Sequence, residues 1–139
     1  MTEVQVYVVQ GDGEHGLFGI VSDGRRHEWR FSDLFAAVQD REPRPVSIES
    51  LGILDKDIWF ARTGREPTLR NIAEEVTRIG RADCTSPAII VTGLGVVDGT
   101  HRAVQAYLRG EEYLDCVEFS LDELQRIPHV QKPCPDRPG

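Results

Sequence analysis

The sequence predicts an α+β fold, with a β-rich front followed by a region in which strands and helices alternate. Three observations carry this. Val4 to Val9, Leu17 to Val21 and His27 to Phe31 are short β-rich runs separated by Gly- and Asp-containing turns. Ala88-Ile89-Ile90-Val91 is an apolar run led by Pro87 and closed by Thr92-Gly93, the pattern of a buried strand. Leu69, Ile72, Ala73, Val76 and Ile79 recur at helical spacing. At 139 residues the chain forms one domain with a core that needs no disulfide or metal staple.

In order, the three front strands are joined by a flexible turn over Gly11 to Gly16 and a tight turn at Ser22-Asp23-Gly24. Ser32 is positioned to cap a short helix from Asp33 to Gln39, with Leu34, Phe35 and Val38 inward. This extension, residues 1–44, could extend a sheet, cover a cleft or form a homodimer contact; burying a sheet edge is its simplest role. Glu42-Pro43-Arg44-Pro45 is a linker-like break, after which residues 45–127 form the core. Trp59 supplies apolar surface, either to the core or as a stacking platform. Thr68 caps the 69–79 helix, Gly80 ends it, and Arg70, Glu74, Glu75 and Arg78 form its solvated face. Tyr113 to Phe119 is a strand, and Ser120 caps a helix over Leu121 to Arg126. The Pro-rich tail, residues 128–139, is expected to be irregular, packed over the domain as an extended strap.

The densest chemistry lies at Asp98-Gly99-Thr100-His101-Arg102-Ala103. A sharp turn there opens a helix with Ala103, Ala106 and Tyr107 on one face and Gly110 as its stop. The unpaired N–H groups and positive end of such a helix suit phosphate. Gly99 lets backbone approach a ligand, Arg102 adds a fork of donors, and His101 titrates near neutrality. An ordinary turn capped by Asp98, with His101 and Arg102 in water, fits the same residues.

That hexapeptide, the Pro-led strand before it and the Gly-ended helix after it resemble the ParB/sulfiredoxin superfamily over roughly Pro45 to Phe119. The stretch from Arg65 to Asp83 is similar to its small stand-alone members. The resemblance implies a mixed sheet with flanking helices. Sulfiredoxin chemistry needs a cysteine in the turn where Thr100 stands, and a hydroxyl cannot replace a thiolate. Partitioning proteins carry a following DNA-binding domain, for which this chain has no room. Their turn is also usually richer in arginine than Thr100-His101.

Free amino-acid kinases of the superfamily fit best in size, charge and motif. The resemblance then implies transfer of a phosphoryl group from ATP or ADP, with CTP an alternative nucleotide and Mg²⁺ as cofactor, to a hydroxylated amino acid or similar metabolite. In that scheme the N–H groups of Gly99, Thr100 and His101 hold phosphates and Arg102 neutralises the moving charge. His101 donates to a transferring or leaving oxygen, and Asp98 holds Mg²⁺ or orients its neighbours. An acid in the loop after the first core strand removes the hydroxyl proton: Asp57 is preferred over Asp55 and Glu49. Arg65 and Arg70 are candidates for a substrate carboxylate. A non-catalytic nucleotide-binding module is the alternative.

Composition sets outer limits. A net charge of −7 and a pI of about 5.1 argue against nucleic acid as the partner, and nothing supplies the carboxylate cluster of a metal-dependent nuclease. No apolar run spans a membrane and no signal peptide opens the chain, so a cytoplasmic protein is expected. Cys84, Cys116 and Cys134 are scattered free thiols, although a zinc site with His129 can be drawn.

Overall fold

The computed structural model describes residues 5–10, 16–22, 24–83 and 85–133. The front is an antiparallel meander of β1 (Gln5–Val9), β2 (Leu17–Ser22) and β3 (Arg25–Arg30). Gly11 to His15 and Asp23, within the expected turns, lie outside the described residues. Tyr7 pairs with Gly19, and a Cβ at Gly19 would sit 2.1 Å from the tyrosine ring. The ring therefore lies across bare backbone and sends its hydroxyl to Glu28 on β3, 2.6 Å away.

The tail does not stay irregular. β8 (Val130–Pro133) adds to β3 as the fourth strand, in the order β1-β2-β3-β8. β3 offers an open edge, Lys132 reaches Glu28 at 2.9 Å, and His129 stacks 4.6 Å from Trp29. Residues 134–139 lie outside the described residues. α1 (Phe31–Val38) follows β3 directly, so Ser32 lies inside the helix. Its N-cap is Arg30, without a side-chain bond, and the Phe31 N–H instead donates to the Gly16 carbonyl at 3.1 Å.

A second, mixed sheet has the order β4-β7-β5-β6. β7 (Tyr113–Phe119) runs parallel to β5 (Ala88–Val91), while β4 (Arg44–Ser47) and β6 (Gly95–Asp98) are antiparallel to their neighbours. Ile89 and Val91 join Phe18, Trp29, Leu34 and Leu124 in a core between the sheets. Ala88 and Val96 join Ile48, Ala103, Ala106 and Leu114 in a core on the opposite face. The period of two thus sends one strand into two cores. The front layer covers the face of the second sheet as well as a cleft, beyond the edge-burying role expected of it.

Five α-helices occur among the described residues: α1, α2 (Trp59–Thr63), α3 (Leu69–Arg81), α4 (Thr100–Leu108) and α5 (Leu121–Arg126). Thr68 caps α3, and Ser120 caps α5 in a reciprocal capping box with Glu123, both as expected. Gly80 does not stop α3. The Gln105 amide donates to the carbonyls of Ile79 (2.9 Å) and Ala82 (3.3 Å), so a side chain from α4 serves the end that a glycine turn would have served.

The larger correction is the orientation of α3. Its apolar stripe faces solvent, with Leu69 87% and Val76 60% exposed, whereas Glu75 is 2% exposed. The helix docks on α4 through polar contacts, so its polar stripe of Asn71, Glu75 and Arg78 turns inward. No helix among the described residues is long and apolar enough to cross a membrane.

Candidate functional site

A cavity of about 910 Å³ lies between the layers. Val8, Phe31 and Phe35 of the front layer wall one side; Trp59 and Arg62 of α2 and the turn from Asp98 to Arg102 wall the other. That turn is where β6 ends and α4 begins. Gly99 has φ +108°, and a Cβ there would meet the Ala88 Cβ at 2.6 Å and its Cα at 2.9 Å. Its missing side chain therefore lets the turn pack on β5.

Arg102 is not a solvated arginine. It donates to the Asp98 carboxylate, to Ser86 O (2.7 Å) and to Pro87 O (2.8 Å), tying the segment ahead of β5 to the turn. Burial raises the Asp98 pKa, opposed by the Arg102 and His101 charges and by the Gly99 N–H. A carboxylate already shared with a guanidinium is a poor Mg²⁺ ligand. No group of three or more His, Cys, Asp or Glu that could hold a metal exists among the described residues. The donors present do not fit a resident Mg²⁺.

His101 is not in free water either. Its ring stacks on the Trp59 indole with centroids 4.6 Å apart and planes within 5°. Its Nε2 lies 2.5 Å from Glu75 Oε2. The Trp59 Nε1–H donates to Thr100 Oγ1 at 2.8 Å, fixing the indole against the same turn. Glu75 also accepts from Arg78 at 2.9 Å, with Arg65 at 3.5 Å. A buried carboxylate on one imidazole nitrogen selects the tautomer protonated there and leaves Nδ1 as a lone-pair acceptor. The result is an aromatic-clamped acid–histidine pair on the cavity wall.

The structure brings Asp98, Gly99, Thr100, His101 and Arg102 together on the cavity but leaves Asp57 out of its lining. Asp57 is exposed, and its Oδ1 accepts from the N–H groups of Phe60 and Ala61, both at 3.2 Å, as a cap for α2. Asp55 and Glu49 are exposed as well. Arg65 is occupied by Glu74, Asn71 and Gln10, and Arg70 points to solvent outside the cavity. Cys84 and Cys134 lie outside the described residues. Cys116 sits in the core beside α4, where burial pushes its thiol up to about 11, while His129 lies against Trp29 in the other core.

Sequence reasoning missed Glu75, Arg62 and the pairing of Trp59 with His101. The one available signal for Glu75 was that Asn71, Glu75 and Arg78 form a polar stripe as regular as the apolar one. No family model, curated protein or solved structure matches this chain.

Proposed function

We propose that this chain is a nucleotide-binding, ParB-like phosphotransferase that moves a nucleotide phosphoryl group to a hydroxylated amino acid or similar small metabolite. The observation that carries the reading is His101 itself. It stands in the first turn of α4 on the wall of a cavity large enough for a small molecule, with one nitrogen on a buried carboxylate and its ring clamped by Trp59. Of the charged groups that line the cavity, Arg41, Arg78 and Arg102 are paired with carboxylates, and Arg62 is the cation among the described residues that an anionic ligand could meet.

In this scheme the first-turn N–H groups of α4, which have no partner within the helix, hold the phosphates. His101 Nδ1 accepts the proton of the acceptor hydroxyl while Glu75 steadies the imidazolium that forms. The acceptor oxygen bonds to phosphorus as the bond from phosphorus to the departing nucleotide oxygen breaks. Arg102 frames the turn through Asp98, Ser86 and Pro87, and Asp57 has no step. Any Mg²⁺ arrives on the nucleotide.

Phosphorus NMR tests this with Mg²⁺ and ATP, ADP or CTP, with and without pooled hydroxylated amino acids. His101→Gln is the control, because Arg102→Ala would dismantle the turn. A new phosphomonoester resonance that needs both the pool and His101 is expected. One observation favours a second reading, a non-catalytic nucleotide-binding module: Asp98 and Arg102 are occupied by each other. That module shows His101-dependent nucleotide shifts and no product. Unchanged nucleotide resonances remove both readings.

A further inference from the structure

Four arginines line the cavity, and among the described residues three face a carboxylate: Arg41 pairs with Glu123, Arg78 with Glu75 and Arg102 with Asp98. Arg62 differs. From α2 its Nη1 donates to the Val96 carbonyl at 2.6 Å, and it has no ion pair with any described carboxylate. Burial lowers its pKa, as expected for a guanidinium that has lost water without gaining a counter-ion. Val96 lies on β6, two residues before Asp98, so Arg62 is anchored beside the strand end that opens into the α4 turn.

We propose that Arg62 holds the carboxylate of the small molecule that occupies this cavity. The Val96 carbonyl fixes one Nη1 hydrogen. The opposite edge of the guanidinium, Nε–H and Nη2–H, has no hydrogen-bond partner among the described residues, and two parallel donors match a planar carboxylate. A lysine ammonium could supply charge but not that fork. Ile58 and Val97 line the same cavity, and an apolar surround strengthens such a pair. The ligand class is thus a hydroxy acid, its carboxylate on Arg62 and its hydroxyl or phosphate toward the α4 turn. Only the second half rests on the proposed function. Arg65 and Arg70, the arginines singled out in the sequence, are respectively occupied and outside.

The experiment follows the Arg62 Nε–H and the Trp59 indole N–H of the full chain by proton–nitrogen NMR. Probes are L-serine, L-threonine, lactate and glycerate, their carboxylate-free counterparts ethanolamine and propanediol, and inorganic phosphate. At least one hydroxy acid is expected to shift Arg62 Nε–H saturably, while its carboxylate-free counterpart does not. Arg62→Gln should weaken that acid roughly 10- to 100-fold and leave the phosphate response unchanged. Arg62→Lys, which keeps the charge but not the fork, should restore only part of the affinity. The Trp29 indole, bonded to the Leu124 carbonyl, reports the fold of each variant. The proposal is overturned if no carboxylate moves Arg62, if acid and counterpart act alike, or if Arg62→Gln binds as the unmodified chain does. Should Arg62→Gln not fold, full affinity in Arg62→Lys overturns it. A lost phosphate response with the acid response intact sinks the phosphate reading and leaves Arg62 standing.

Discussion

Two buried glutamates divide the labour of this molecule. Glu28, 7% exposed, sits in the front sheet between the Tyr7 hydroxyl and the Lys132 ammonium. Those partners come from strands of its own sheet, so the network staples β1, β3 and β8 together. Glu75, 2% exposed, takes its partners from three elements: Arg78 on its own helix, Arg65 from the loop before it and His101 from α4. Only the Glu75 set includes a titratable ring on the cavity wall. The same residue type, equally buried, is a staple in one place and a positioning group in the other. Its partners decide which.

The sharpest test replaces each with its neutral isostere. Glu75→Gln is expected to lower phosphoryl transfer, or His101-dependent nucleotide binding, by on the order of 10² or more, because the tautomer of His101 is no longer selected. Imidazole nitrogen shifts of His101 would show the exchange directly. Glu28→Gln is expected to cost about 1–3 kcal/mol of stability in denaturant unfolding, the range for hydrogen bonds to a charged group, and to leave ligand binding untouched. A stability loss without a site phenotype from Glu75→Gln would make both residues staples and break the contrast.

Asp57→Asn sharpens the point with a smaller effect. As a cap for α2 it should cost about 0.5–2 kcal/mol of stability with turnover preserved. Abolished turnover in a folded variant would return the base role to Asp57.

The pH profile separates the regions further. The Tyr7 hydrogen bond, then Lys132, hold the Glu28 carboxyl below the ordinary 4.5 against the opposing effect of burial. Its contribution is therefore present above that value and lost as pH falls through the lower folded-state pKa. Glu28→Gln should flatten acid unfolding there.

His27 gives the smallest effect. Burial first, then His129 and Arg25, lower its pKa from 6.5. The unfolded chain takes up the proton more readily, so stability should drop as pH falls below 6.5 towards the folded value. Protection factors of amides along β3 and β8, which allow for the slower intrinsic exchange at lower pH, should fall over that range, and His27→Phe should remove the change.

Much of the frame was legible in the sequence. The front hairpins, the buried run Ala88 to Val91, the caps Thr68 and Ser120 and the turn opening α4 all follow from period, cap chemistry and glycine placement, which act over a few residues. The site was legible only in half. Asp98 to Arg102 is contiguous, but its partners are not: Trp59 lies 41 residues from Thr100, and Glu75 lies 26 from His101.

The apolar stripe of α3 established that the helix is amphipathic, and the tertiary structure alone chose which face is inside. A helix docked by the Glu75–His101 hydrogen bond and by the Gln105 amide meets a polar neighbour, so the usual hydrophobic rule inverts. The same holds for β8, whose exposed residues carry no burial signal and which forms because β3 leaves an edge open. Local periodicity determined the elements. Long-range packing decided their faces and edges, because those depend on residues that meet only once the chain has closed.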